Sequence, residues 1–349
     1  MNLYCPEPLE RVEIHPCFLF RFAPEQRLGG LFKDALPPNF FEQRVTYTDV
    51  AQASAIVLPN NFKTLDSRSR EYIARYAALA HERRLPIFAF SMGDFTDRLV
   101  FDSRVQVFVT SVYRSMLQKN QILTPTLTED LGAGGVAVRQ KSDLPVVSFC
   151  GQAGYKTARQ WIGYVLKNLY FEVRGFLNAP ERAHKLGVYW RRNMMRACAA
   201  SPLVRTRFIV RRSFSGVLRT IELDPAQARK EFVDSIRESD FVLAPKGDGN
   251  YSNRFLEVLS LGRIPVVADT DIVLPFEDII AYAKIVVRVP MERVAETPRS
   301  VHEFYESLSE REWQERQMLA CETFEKYLRQ DSFFEQFFNS FFAREHGKS

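Results

Sequence analysis

The stretch Phe241–Phe276, FVLAPKGDGNYSNRFLEVLSLGRIPVVADTDIVLPF, gathers residue types that bind an anion. Pro245, Gly247 and Gly249 supply the tight turn and close backbone approach that a bound anion needs. Ser252 or Asn253 is placed to cap a helix whose Phe255, Leu256, Leu259 and Leu261 share one side. The helix start offers free N–H groups and the positive end of its dipole beside Lys246, Asp248, Asn250, Ser252 and Arg254, which together describe a phosphate site. Arg254 suits a bidentate grip on two phosphate oxygens, and Lys246 with Arg211 or Arg212 adds charge from neighbouring strand ends. The other reading of each cation is a solvated surface charge paired with Asp248 or Glu257. Glu257 follows Arg254 by three on the same helical face, where it either accepts two ribose hydroxyls or pairs with Arg254.

Further candidates lie at other strand ends. The turn Cys150, Gly151, Gln152, Ala153, Gly154 closes one apolar strand, and its glycines allow a helix start to approach phosphate, although any strand-to-helix turn uses such glycines. Asp269 and Asp271 form an Asp-x-Asp that reads as a metal pair or, after a buried strand, as a turn with capped N–H groups; the turn is favoured and no metal is expected. A transfer reaction also needs a base for the attacking hydroxyl. Asp94, in the glycine turn after the strand Ile87–Phe90, is the candidate, against the reading of a turn aspartate. His15 is the second choice, against a structural histidine. Asn60 and Asn61, after another strand, are candidates for hydroxyls of an acceptor.

The elements that position these residues alternate in type. In the first part, Cys17–Phe22, Phe41–Tyr47 after the Pro37, Pro38 turn, Ala55–Leu58, Ile87–Phe90 and Val105–Val109 read as strands, and Ser67–Arg84 as a helix ended by Pro86. Leu131–Ser142, with three glycines and a basic run, marks a boundary. Behind it come a strand Val146–Phe149, a long amphipathic helix reaching Leu177, a helix Glu181–Ala199, a strand Arg207–Val210 and a helix Pro225–Glu238. This alternation predicts an α/β fold of mostly parallel sheets covered on both faces. The expected domains are residues 1–140, residues 141–330 and a last helix, 331–349. That last segment contains SFFEQFFNSFF, which reads either as a membrane-facing surface or, favoured by Glu335 and the lack of basic residues among the rings, as a helix packing back on the first domain.

At 349 residues the chain is long enough for two cores. A net charge of +5 suits an anionic ligand without indicating nucleic acid, for which the chain shows no dense basic and aromatic stripe. Cys5, Cys17, Cys150, Cys198 and Cys321 are odd in number and scattered, with no CxxC pair, so neither a disulfide framework nor a zinc site is indicated. The first residues lack the apolar core of a signal peptide, and no run reaches the roughly 20 apolar residues of a span, so a cytoplasmic location is expected, with peripheral contact at the inner face of a membrane as the variant.

The order SFCGQAG, FIVRR, an amphipathic helix and SDFVLAPKGDGNYSNRFLEVLSLGRIPVVADTDIVLPFEDI resembles the donor-binding half of exostosin-family glycosyltransferases, over about residues 144 to 290. ASAIVLPNNF and PIFAFSMGDF are similar to that family's first half, less specifically. The resemblance implies a GT-B architecture, two Rossmann-like domains facing across a cleft, with the nucleotide sugar held mainly by the second domain and the acceptor by the first. It implies inversion at the anomeric carbon, no metal and no cofactor, and a Glu257 that binds ribose. The expected reaction moves a sugar from a nucleotide diphosphate sugar, with UDP the favoured nucleotide, to a glycan or lipid-linked glycan in polysaccharide or glycoconjugate biosynthesis. Two other classes stay open: a catalytically silent sugar- or nucleotide-binding module, and a dinucleotide-dependent oxidoreductase, against which the absence of GxGxxG weighs.

Overall fold

The computed structural model describes residues 2–23, 45–94, 99–213 and 223–346. The chain forms two compact units: Met1–Leu127 with Val273–Pro275 and Tyr327–Ser349, and Thr128–Ile272 with Phe276–Lys326.

Unit 1 holds a six-stranded parallel sheet in the order β2-β1-β3-β4-β5-β6. Its strands are β1 (Asn2–Tyr4), β2 (Thr46–Tyr47), β3 (Ala55–Asn61), β4 (Ile87–Ser91), β5 (Val105–Val109) and β6 (Gln121–Leu123). β3 and β4 are buried along their whole length, the mark of strands covered on both faces. Alternate side chains serve opposite layers. Ile87, Ala89, Val105, Val107 and Val109 join Ile73, Tyr76, Ala77 and Ala80 of a helix on one face. That helix, Ser67–Arg83, is capped at its start by Asp66, whose carboxylate accepts from the Ser69 N–H at 2.8 Å.

The segment Cys17–Phe22, expected as a strand, is instead helical: a 3-10 turn at Pro16–Phe18 and a short helix, α1 (Leu19–Phe22). Pro16 fixes a helical φ at the first position, and His15 caps the turn by accepting the Cys17 N–H. Ser67–Arg83 is therefore α2. The Pro37, Pro38 turn and positions 41–44 of the expected strand lie outside the described residues, and Thr46–Tyr47 forms β2.

Unit 2 holds a five-stranded parallel sheet in the order β11-β10-β9-β7-β8. The strands are β7 (Val146–Gln152), β8 (Arg205–Arg211), β9 (Phe241–Leu243), β10 (Ile264–Asp269) and β11 (Val287–Pro290). Between them run α3 (Ala158–Leu177), α4 (Gly187–Ala199), α5 (Pro225–Arg237) and α6 (Asn253–Ser260), followed by α7 (Thr297–Glu306) and α8 (Glu310–Thr323). The helix expected over Glu181–Ala199 is divided: a 3-10 turn covers Ala179–His184, and extended Leu186 (φ −60°, ψ 145°) separates it from α4. Ile236, Val242, Val258 and Leu261 form a core on one side of the sheet. The boundary-like segment Leu131–Ser142 is fastened within this unit: Arg139 Nε donates to buried Asp240 at 2.8 Å, and Asp240 also accepts the Val146 N–H at 2.8 Å.

The last helix, α9 (Gln330–His346), belongs to unit 1. Its phenylalanines stand four apart in two rows, 333/337/341 and 334/338/342, so the rings form one face. They cover the face of β4 and β5 opposite α2. Ring centres lie 5.2 Å apart for Phe88 and Phe341, 5.3 Å for Phe108 and Phe334, and 5.1 Å for Phe108 and Phe337.

Candidate functional site

The order of the second sheet turns at β7: β8 lies on one side of it and β9 on the other. In parallel α/β sheets such a reversal opens a crevice beyond the carboxyl ends of the strands. Two segments meet there, Gly151–Gln152 at the end of β7 and the loop from β9 into α6. Arg254, at the second position of α6, reaches back across to β7 and donates from Nη2 to the Cys150 carbonyl at 2.8 Å, with its guanidinium 4.4 Å from the centre of the Phe149 ring. Gly151 has φ +149°, and a Cβ on it would stand 2.7 Å from Arg254 Nη2. Glycine is needed there both for the backbone and for the passage of that side chain.

A second arginine closes the cluster. Arg191, on α4, donates to the carbonyls of Gln152 (3.1 Å) and Lys246 (3.4 Å). Burial lowers the pKa of both guanidiniums, with Arg191 adding repulsion at Arg254, whose value falls to about 10. Both remain charged at neutral pH. Among the described residues neither forms an ion pair within 4 Å, and the buried Nε of each has no partner. Arg263, whose buried Nε likewise has no partner, differs in its other nitrogens: Nη1 and Nη2 donate to the carbonyls of Leu261, Gly262, Ala137 and Arg237 and to Gln317 Oε1. Two half-buried cations with so few acceptors are an arrangement that attracts an anion.

The other residues singled out in unit 2 divide in two. Arg211 is held by Glu231 Oε2 at 2.9 Å, while its Nε is buried without a partner. Ser252 takes the N-cap position, but its hydroxyl makes no capping bond. Arg212 and Asp248 are exposed, Gly247 donates its N–H to the Tyr251 carbonyl at 2.7 Å, and the Gln152 amide reaches the Gly154 carbonyl at 3.3 Å. Lys246 and Asn250, expected at the donor site, are both turned into the protein. The Lys246 ammonium is buried against the Ala183 carbonyl at 2.9 Å, and burial lowers its pKa to about 7. Asn250 is buried too: its oxygen accepts from Thr270 Oγ1 at 2.8 Å and its amide donates to the Asp271 carbonyl at 3.3 Å. The Asp269, Asp271 pair is accordingly a turn, with Asp271 left-handed at φ 59° and its backbone held by Asn250.

Glu257 is buried, and its ion-pair partner is not Arg254. Oε1 accepts from Arg229 Nη1 at 2.8 Å, and Arg229 Nη2 also meets Glu129 at 2.6 Å. Arg191 and Arg229 escaped the sequence reading because each lies far from the motif in the chain. The pair Arg191, Arg192 in GVYWRRNMMRAC was the available signal: Arg192 donates to Ala153 at 3.1 Å, so both arginines face the glycine turn.

In unit 1 three of the four candidates are structural. His15 is buried, stacks on Phe90 with ring centres 4.0 Å apart, accepts the Cys17 N–H on Nδ1 at 3.3 Å and lies 3.0 Å from Met92 Sδ through Nε2. Burial lowers its pKa to about 3, so the ring is neutral and both nitrogens are engaged. The Asn60 side chain accepts from the Leu9 N–H at 2.7 Å and donates to the carbonyls of Leu9 and Val12, both at 3.1 Å. Asn61 clamps Met92 from both sides, accepting its N–H at 2.7 Å and donating to its carbonyl at 2.9 Å. All three side chains are engaged with the protein itself. Asp94 is exposed beyond the carboxyl end of β4, in a turn fixed by Thr110 Oγ1, which accepts the Gly93 N–H at 3.0 Å.

Residues 196–304 match the family model described as the Exostosin GT47 domain. No curated protein matches the sequence. Solved structures with a similar course include a glycosyltransferase from Rickettsia africae (6% identity, TM-score 0.35, covering 86% of this chain and 85% of that one). TarM is 10% identical with a TM-score of 0.35, over 82% of this chain and 54% of its own. WaaG, a glycosyltransferase involved in lipopolysaccharide biosynthesis, is 10% identical with a TM-score of 0.33, over 95% and 96%. These likenesses are distant, and the family match covers residues 196–304, within the second parallel-sheet unit. From the end of α4, through α6 with its Arg254, to α7, the chain is similar to the exostosin glycosyltransferase domain, the family its motifs resemble.

Proposed function

We propose that this protein is an inverting glycosyltransferase that uses a nucleotide diphosphate sugar, with UDP as the nucleotide, to extend a glycan. The observation that carries the reading is the pair Arg254 and Arg191: two half-buried guanidiniums at the carboxyl end of β7, held by carbonyls and lacking a carboxylate partner among the described residues. A leaving diphosphate gathers charge as its bond to the sugar breaks, and fixed cations in a water-poor site stabilise that charge without a metal ion. Gly151, Ser252, Gly247 and the start of α6 border the same place and complete the diphosphate grip, with Arg211, Arg212, Gln152 and Asp248 at its edge. Glu257, its Oε1 taken by Arg229, receives the ribose hydroxyls through Oε2.

In the proposed step the acceptor oxygen attacks the anomeric carbon from the face opposite the diphosphate. The carbon–oxygen bond to the diphosphate breaks, its electron pair leaves with UDP, and Asp94 takes the proton of the acceptor hydroxyl. One displacement inverts the configuration.

Calorimetric titration of the chain with UDP, GDP, CMP and NAD, with chelator present, tests the donor half. UDP should bind, and Arg254→Ala should weaken it by about 10- to 100-fold, the loss of a charged hydrogen-bonding group. Asp94→Asn should bind UDP as the wild type does and abolish transfer. Binding of NAD alone would point to the oxidoreductase, and binding of no nucleotide would sink the reading.

A further inference from the structure

Helix α3 carries most of its apolar side chains away from its own domain. The inward side is fastened by Tyr164, packed against Tyr155, by Phe171, stacked on His184, and by small and polar contacts. Asn168 donates to the Tyr164 carbonyl at 2.7 Å and accepts the Leu186 N–H at 3.0 Å, and Gly175 abuts the Arg182 side chain. The outward side presents Ile162, Leu166, Leu169, Val173, Phe176 and Leu177, with Leu166 60%, Phe176 75% and Leu177 90% exposed. Trp161 and Tyr170 stand among them, also exposed. An amphipathic helix ordinarily turns such a face to the core; this one is reversed.

The width and the charge of the face identify what it fits. At about 100° per residue these side chains sweep roughly half the helix circumference, far broader than the two-position seam by which one helix pairs with another. Lys156, Arg159, Lys167 and Arg174 are exposed around it, Arg174 also pairing with Glu181 at 2.9 Å. The only acid on the helix, Glu172, is neutralised by Lys185 and Arg182. A broad apolar face with cations at its border and aromatic rings that have a polar edge is complementary to an anionic lipid surface. Among the described residues no helix is long and apolar enough to cross a membrane, so the contact is one of lying in the interface. We propose that α3 seats this protein on an anionic lipid bilayer as an in-plane helix. The inference is independent of the donor chemistry.

The chain has three tryptophans, and Trp190 and Trp313 are buried, so Trp161 alone reports on the face. Full-length protein is mixed with vesicles of phosphatidylcholine alone or with phosphatidylglycerol, then sedimented, and its tryptophan emission recorded. Binding to the phosphatidylglycerol vesicles with a blue shift, weakened by salt, is expected. Leu166→Glu with Leu169→Glu should reduce binding by about tenfold or more while the thermal melt stays as in the wild type. Failure of the wild type to sediment, or equal sedimentation of the variant, overturns the proposal. So does a stable dimer by light scattering that the same variant dissociates, which would give the face to a second copy of the chain.

Discussion

Helices α3 and α9 are both rich in aromatic and aliphatic residues, and they place them on opposite sides of the protein boundary. In α9 the rows of phenylalanine lie against Phe88 and Phe108 of the unit 1 sheet, and Phe333 and Phe334 are buried. In α3 the equivalent stripe faces outward, while Asn168 and Gly175 face the protein. Helical spacing shows which residues share a face; it does not show what the face meets. Glu335 and the lack of basic residues among the α9 rings pointed to packing, and the basic border of α3 was the matching sign of a surface.

The largest expected effect comes from the buried side of that contrast. Phe334→Ala removes a ring from between β5 and α9 and should cost about 3–5 kcal/mol in urea unfolding. A cost below about 1 kcal/mol would mean that α9 contributes no packing of the kind inferred. His15, stacked on Phe90 in the same unit, gives an acid-dependent version of the test. Its folded pKa is lowered by burial to about 3 from the ordinary 6.5, so between those values the unfolded chain binds a proton that the folded chain refuses. Stability should be complete above about 6.5 and fall as pH drops toward 3, by up to about 1.4 kcal/mol per pH unit from this group. Urea titrations near pH 6 and pH 4 should show a steeper acid loss for the wild type than for His15→Gln, and equal slopes would show that the ring titrates in place. The smallest effect belongs to the exposed side: Leu166→Ala on α3 should change unfolding stability by no more than about 0.5 kcal/mol. A loss comparable to that of Phe334→Ala would mean that α3 is covered, and would erase the contrast.

Much of this fold was legible in the chain. The apolar runs Ile87–Phe90 and Val105–Val109 appear as β4 and β5, and Pro225–Glu238 as α5, because these are long or strongly patterned elements. Cys17–Phe22 misled because apolar character outweighed the Pro16 signal, and β1 escaped because three residues carry no period. At the site, the closeness of Gly151 and Arg254 followed from strand-end logic. The partner of Glu257 did not, since Arg229 arrives from α5, 28 residues away. Asn60 and Asn61 show the same limit: a polar pair after a strand looks alike in sequence whether it meets solvent or clamps backbone, and only the loops at Leu9 and Met92 decide.

The position of α9 in the chain also sets a timetable. A ribosome delivers the strands of the first sheet, then all of unit 2, Thr128–Ile272 and Phe276–Lys326, and only afterwards the helix that covers Phe88 and Phe108. The nascent sheet therefore waits with one greasy face uncovered while the second unit emerges and folds. Most of unit 1 is made first, and it is finished last.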